Sequence, residues 1–80
     1  MDKLILVNWD DAQADNTWHE GKKVDLHCRS IGFVVYEDKE QIELAGTLAD
    51  DGMCNNTMTI PKKMMTSRQT IVIPDFPKWK

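Results

Sequence analysis

Val24–Tyr36, VDLHCRSIGFVVY, decides the fold class, because its apolar alternation changes parity halfway along. Val24, Leu26 and Cys28 hold even positions. After Ser30 the large apolar residues Ile31, Phe33 and Val35 hold odd ones, with Gly32 just past the change. Strand side chains alternate faces with a period of two, so an unbroken strand would turn one of these sets into water. A bulge or sharp bend near Arg29–Gly32 is the expected repair, and a glycine inside a strand often marks such a place. Strongly bent strands let very small sheets close on themselves, so the segment predicts a small β-barrel.

Upstream of it, Leu4–Trp9 (LILVNW) is continuously apolar and reads as a strand buried on both faces. Asp10–Gly21 fits neither period. It predicts one helical turn at Asp10–Ala14, capped by Asp10 or Asp11, or else a loop pinned by Trp18. Downstream, Glu37–Glu40 is a charged turn, and Gln41–Leu48 alternates with Ile42 and Leu44 on one face. Asp50-Asp51-Gly52 is a turn signal. Asn56–Ile60 alternates again, with Met58 and Ile60 inward, and Pro61 stops it. Lys62–Met65 has room for a single helical or 3₁₀ turn. Gln69–Ile73 makes the last strand before Pro74. The expected domain covers residues 1–74, with residues 75–80 as an extended tail. It is all-β: a bent, five-stranded Sm/SH3-like barrel with a one-turn helix before the last strand.

A chain of 80 residues is one domain and buries only about 60–65% of its unfolded surface, so the core is modest. Two cysteines make no disulfide scaffold, and reduced thiols in a cytoplasm are expected. The run Leu4–Val7 is too short for a signal core or a membrane span, so no membrane partner is expected. A net charge of −3 argues against electrostatic nucleic-acid binding by the chain as a whole. The charge is polarised, however. Residues 1–51 carry five Lys/Arg against twelve Asp/Glu, and residues 52–80 carry five against one. Such a split can steer a partner or let copies pack head to tail.

Reactive constellations are sparse. His19, His27, Cys28 and Cys54 show no zinc-ligand spacing, and His27 and Cys28, adjacent on a strand, face opposite ways. Asp10, Asp11 and Asp15 lack the alternation and the glycine of a calcium loop. No nucleophile elbow or phosphate loop occurs. The expectation is no metal, no cofactor and no enzymatic activity. Lys62, Lys63 and Arg68 form the densest basic cluster, and Trp79 between Lys78 and Lys80 adds an aromatic. Together they form a candidate surface for single-stranded nucleic acid, where rings stack bases and cations meet phosphates. Val34 and Tyr36 lie opposite Phe33 and Val35, so this strand is apolar on both sides, as are Leu4–Val7 and Ile71–Ile73. A single-layer barrel has one inside. Val34, Tyr36 and Val72 are therefore the candidate interface of a homo-oligomer, with closed rings also covering the sheet edges.

Four motifs, in order, resemble a group of short tailed-phage and prophage proteins. They are Trp9-Asp10-Asp11-Ala12 followed by Asp15 and Trp18; Ser30-Ile31-Gly32-Phe33; Leu44-Ala45-Gly46; and Ile60-Pro61-Lys62. The resemblance covers residues 9–62. It implies a small Sm-like or SH3-like barrel that assembles into rings, in the host cytoplasm, and it transfers no catalytic residues. The chain departs from true Sm proteins in lacking an N-terminal helix and the Asp-x-x-Met-Asn pattern of their uridine site. The expected function is a non-enzymatic assembly or binding module, a ring-forming homo-oligomer that takes a host protein, a nucleic acid or a small anionic ligand. The alternatives are a nucleic-acid module acting through Lys62, Lys63, Arg68 and Trp79, and an inhibitor or sponge that captures a host nucleotide signal.

Overall fold

The computed structural model describes residues 3–12 and 25–79. Five strands follow one another, β1 (Leu4–Ala12), β2 (Asp25–Glu37), β3 (Gln41–Leu48), β4 (Cys54–Pro61) and β5 (Met65–Ile71), with a 3₁₀ turn at Lys62–Met64 before the last. They form one antiparallel sheet in the order β4-β3-β2-β1-β5. The all-β expectation, its five strands and its single turn of helix before the last strand are all present.

The parity conflict is resolved in a different place from the one expected. From Asp25 to Phe33, β2 runs against β1 without a slip, Leu4 opposite Phe33 and Ala12 opposite Asp25. Its inner face carries Cys28, Ser30, Gly32 and Val34, level with Trp9, Val7 and Ile5 of β1. Ile31 is left on the outside, 59% exposed. The register breaks against β3 between Val34 and Tyr36, so Val35 is the bulged residue. Gly32 has a separate task. A Cβ there would stand 2.9 Å from Leu44 Cβ and 3.1 Å from the Ala45 carbonyl oxygen, so β3 crosses too closely for any side chain.

That crossing begins a tight roll of the sheet. Arg68 stands opposite Val7, which stands opposite Ser30, and Glu37 lies further along β2. On a flat sheet seven residues of strand would separate Arg68 from Glu37 by roughly 23 Å. Instead Arg68 Nη1 meets Glu37 Oε2 at 2.7 Å. Ser30 Oγ likewise reaches Met58 Sδ on β4 at 3.5 Å. The two halves of the sheet fold face to face over a core of Ile5, Val7, Ile42, Leu44 and Ile60, with Trp9, Val34 and Met65 packed against it. Each fully buried aliphatic side chain contributes about 1.5–3 kcal/mol of transfer free energy. Ser30 is tolerated at this packed face because the Trp9 indole N–H donates to its hydroxyl at 3.0 Å.

Other boundaries move in instructive ways. Asp10–Ala12 continue β1 as strand, so no helical turn starts there; the remainder of the expected turn, Trp18 and Val24 lie outside the described residues. Among the described residues, β1 beyond Trp9 pairs with β2 alone, and β2 meets β3 only from Phe33 onward. A two-stranded ribbon, Asp10–Ala12 with Asp25–His27, therefore projects past the rest of the sheet. The last strand begins earlier than Gln69, at Met65, and ends at Ile71, leaving Val72 and Ile73 beyond it. A bulge between Asn8 and Trp9 accommodates β5, where the Thr66 hydroxyl donates to the Asn8 carbonyl at 3.1 Å. On β4, Asn56 takes a φ of +55° in the middle of an edge strand, a conformation asparagine tolerates better than most residues.

Candidate functional site

The turn between β2 and β3 is built around Asp38. Its Oδ1 accepts the Glu40 and Gln41 amides at 2.8 and 2.9 Å, and its Oδ2 accepts the Tyr36 hydroxyl at 2.9 Å. This side-chain turn replaces the glycine signal of a tight hairpin. The Glu40 amide bond, then the Tyr36 bond, hold the Asp38 carboxyl below its usual range, while the same Asp38 contact raises the Tyr36 phenol. Tyr36 is thus exposed but occupied within its own turn.

Beside that turn the basic cluster converges on one acid. Glu37 Oε2 receives Lys62 Nζ at 2.8 Å and Arg68 Nη1 at 2.7 Å. The hydrogen bond from Arg68, then that from Lys62, lower the Glu37 carboxyl from 4.5 to about 2. Lys62 and Arg68 are therefore brought together, as the sequence suggested, but as a clamp between the 3₁₀ turn, β5 and the end of β2. Lys63 remains exposed on the turn. Trp79 is placed elsewhere, on the wall of a groove at the end of the sheet where β1 begins. Glu37, which neutralises the cluster, was not among the sequence candidates. The signal available was the charge run Glu37–Glu40 followed by Lys62 on the turn after Pro61 and Arg68 on the last strand.

The interface candidates divide as well. Val34 packs against the core cluster, so it is corrected from an outward interface residue to an inner one. Its inward turn follows from the unbroken β1–β2 register. Tyr36 is half exposed, and Val72 is 80% exposed beyond the end of β5.

Two concave places lie among the described residues. One is small, about 350 Å³, framed by Asn8, Trp9, Asp10, His27, Cys28, Arg29 and Thr66. His27 Nδ1 lies 2.7 Å from Asp10 Oδ1, its cross-strand partner, and Arg29 Nε donates to Asn8 Oδ1 at 2.9 Å. Cys28 Sγ donates to the Leu26 carbonyl at 3.7 Å, and the two neighbours His27 and Cys28 face opposite sides of the strand. No thiol–imidazole couple forms there. Among the described residues no three His, Cys, Asp or Glu side chains are placed to hold a metal ion.

The other is the groove, about 680 Å³. Lys3 and Leu4 at the start of β1, Phe33 of β2, Gly46–Leu48 at the end of β3 and Thr70–Ile73 line it, and Phe76, Pro77 and Trp79 of the tail complete the rim. Asp75, at a φ of +54°, turns the chain between Pro74 and Phe76. Trp79 and Phe76 stay largely exposed there. No helix among the described residues is long and apolar enough to cross a membrane.

Comparison of the chain with family models, with curated proteins and with solved structures gives no match in any of the three. The likeness to phage proteins rests on the four motifs alone.

Proposed function

We propose that this protein is a non-enzymatic assembly and binding module of phage type, whose copies join through their sheet edges into a closed ring. One observation carries the reading: β4 and β5 are the two outer strands of a single rolled sheet, and each has a ladder partner on one side only among the described residues. Joining β4 of one copy to β5 of the next is a heterologous contact, the kind that generates rings when the rotation closes. Exposed edges otherwise invite uncontrolled pairing. The apolar residues left outside, Ile31, Tyr36 and Val72, supply surface for the same contact, and the acidic first half and basic second half favour head-to-tail order. A nucleic-acid role draws less support, since Lys62 and Arg68 spend their charge on Glu37.

Native mass spectrometry of the untagged protein tests this. The expected result is one discrete oligomer that Tyr36→Glu and Val72→Glu each break into 9.2 kDa monomers. A monomeric wild type, or assembly surviving both substitutions, refutes it.

A further inference from the structure

We propose that the groove at the start of β1 is a binding site for a small amphipathic organic anion, its apolar body against Leu4, Phe33, Ile71 and Ile73 and its acidic head at Lys3. Every residue the site needs belongs to one copy, although its Val72 is shared with the contact proposed for the ring.

Size comes first. At about 680 Å³ the groove falls within the ~300–1,000 Å³ of sites that hold small molecules. Such sites are mostly apolar with a few placed polar groups, and the named side chains meet that description. Charge comes second. Among the described residues, Lys3 is the cation of the lining, no carboxylate side chain lines the groove, and Lys3 forms no ion pair. A carboxylate or sulfonate beside this ammonium, with apolar walls excluding water, gains more than it would in bulk solvent. A cationic ligand would meet like charge from Lys3.

The rim decides between a small molecule and an extended peptide. A peptide adding to a sheet edge is held by backbone hydrogen bonds along its length. The tail side of this groove carries Pro77, which has no N–H to donate. It offers ring faces instead, Phe76 and Trp79, which cover a compact apolar ligand without a ladder. These two side chains and Val72 are the most exposed apolar groups around the groove, so a ligand lying against them removes surface that is otherwise wet.

Titration calorimetry of the full 80-residue chain with sodium decanoate below its micelle concentration, beside neutral 1-decanol, provides the test. Native mass is recorded on the same samples. One decanoate per chain is expected to bind with a Kd below about 1 mM, at least about tenfold tighter than decanol. Lys3→Glu removes that preference while leaving decanol binding in place. The fold is expected to survive it, because among the described residues Lys3 hydrogen bonds through its backbone carbonyl, which accepts the Val34 amide at 2.8 Å, and not through its side chain. Ile73→Asp, at a half-exposed position, weakens both ligands. Saturation, equal affinity for the two ligands, or decanoate binding indifferent to Lys3→Glu separates the outcomes: the first supports the proposal and either of the others overturns it. Absence of binding overturns it too. The native mass of the same samples keeps the two readings apart: an oligomer leaves the ring reading standing without the site, and a monomer overturns the ring reading as well.

Discussion

Removing the charge of Glu37 should open the roll of the sheet in a way that depends on pH. The carboxyl falls from 4.5 to about 2 in the folded chain, and each unit is worth about 1.4 kcal/mol, so the clamp has a ceiling of roughly 3 kcal/mol. The three side chains are 28–33% exposed, however. Solvent screening on that scale brings the expected cost of Glu37→Gln down to about 1–2 kcal/mol at pH 7. A depressed carboxyl stabilises above its unfolded value and loses that contribution as pH falls through its folded value. The gap between wild type and Glu37→Gln is therefore full above about pH 5 and closes on the way down to about pH 2. Urea unfolding of both proteins at pH 7 and at low pH reads this difference directly. It also cancels the similar but separate contribution of Asp38, which both proteins share. Raising the salt to about 1 M should narrow the pH 7 gap, since the screening length falls to about 3 Å. A gap that is the same at both pH values, or no gap at pH 7, refutes the argument that this ion triad holds the two halves of the sheet together.

Substitutions at three further positions probe the core and the edge. Gly32→Ala forces a methyl to within 2.9 Å of Leu44 Cβ and against the Ala45 carbonyl, and should lower stability by about 1–3 kcal/mol in a urea titration. An unchanged midpoint would mean β3 can draw back freely. Ile42→Ala empties a fully buried position and should cost about 2–5 kcal/mol, read as a drop in Tm. Asn56→Val places a β-branched residue at a φ of +55° and should cost about 1–3 kcal/mol, whereas Asn56→Gly should be nearly neutral; equal losses in both would place the effect in the side chain and not in the backbone.

Much of the fold was legible because small barrels write their pattern twice, in alternation and in turns. Gln41–Leu48, the Asp50–Gly52 turn, the inward Ile42, Leu44 and Ile60, and the 3₁₀ turn after Pro61 all follow from local chemistry. The errors share a different cause. Ile31 and Phe33 outrank Ser30 and Gly32 in size, so the larger set looked like the core set. What placed Ser30 inside was a hydrogen bond from Trp9, and what placed Gly32 inside was the closeness of β3. Neither is written in the spacing of β2. The polar start of β5, Met65-Thr66-Ser67-Arg68, hid a strand because an edge needs few apolar residues. Asp10 and Asp11 read as a helix cap when cross-strand pairing with His27 and Leu26 had the stronger claim. The clamp on Glu37 joins residues 31 positions apart and depends on the roll of the whole sheet, so no local window contained it. The groove was out of reach for the same reason, being made where the ends of β1, β3 and β5 meet the tail.

The projecting ribbon of Asp10–Ala12 and Asp25–His27 divides the backbone into two classes of amide. Those of Ile5 and Val7 sit in a strand paired on both sides and beneath the core. Their hydrogens should reach deuterium only when the whole domain opens. Among the described residues the ribbon's interstrand bonds have no third strand behind them, and a lone two-stranded hairpin is marginal in water. Its amides should therefore exchange through a local opening that costs a small fraction of the global free energy. One strand, β1, would then carry slow clocks at its beginning and fast ones at its end, with the change of pace falling at Trp9.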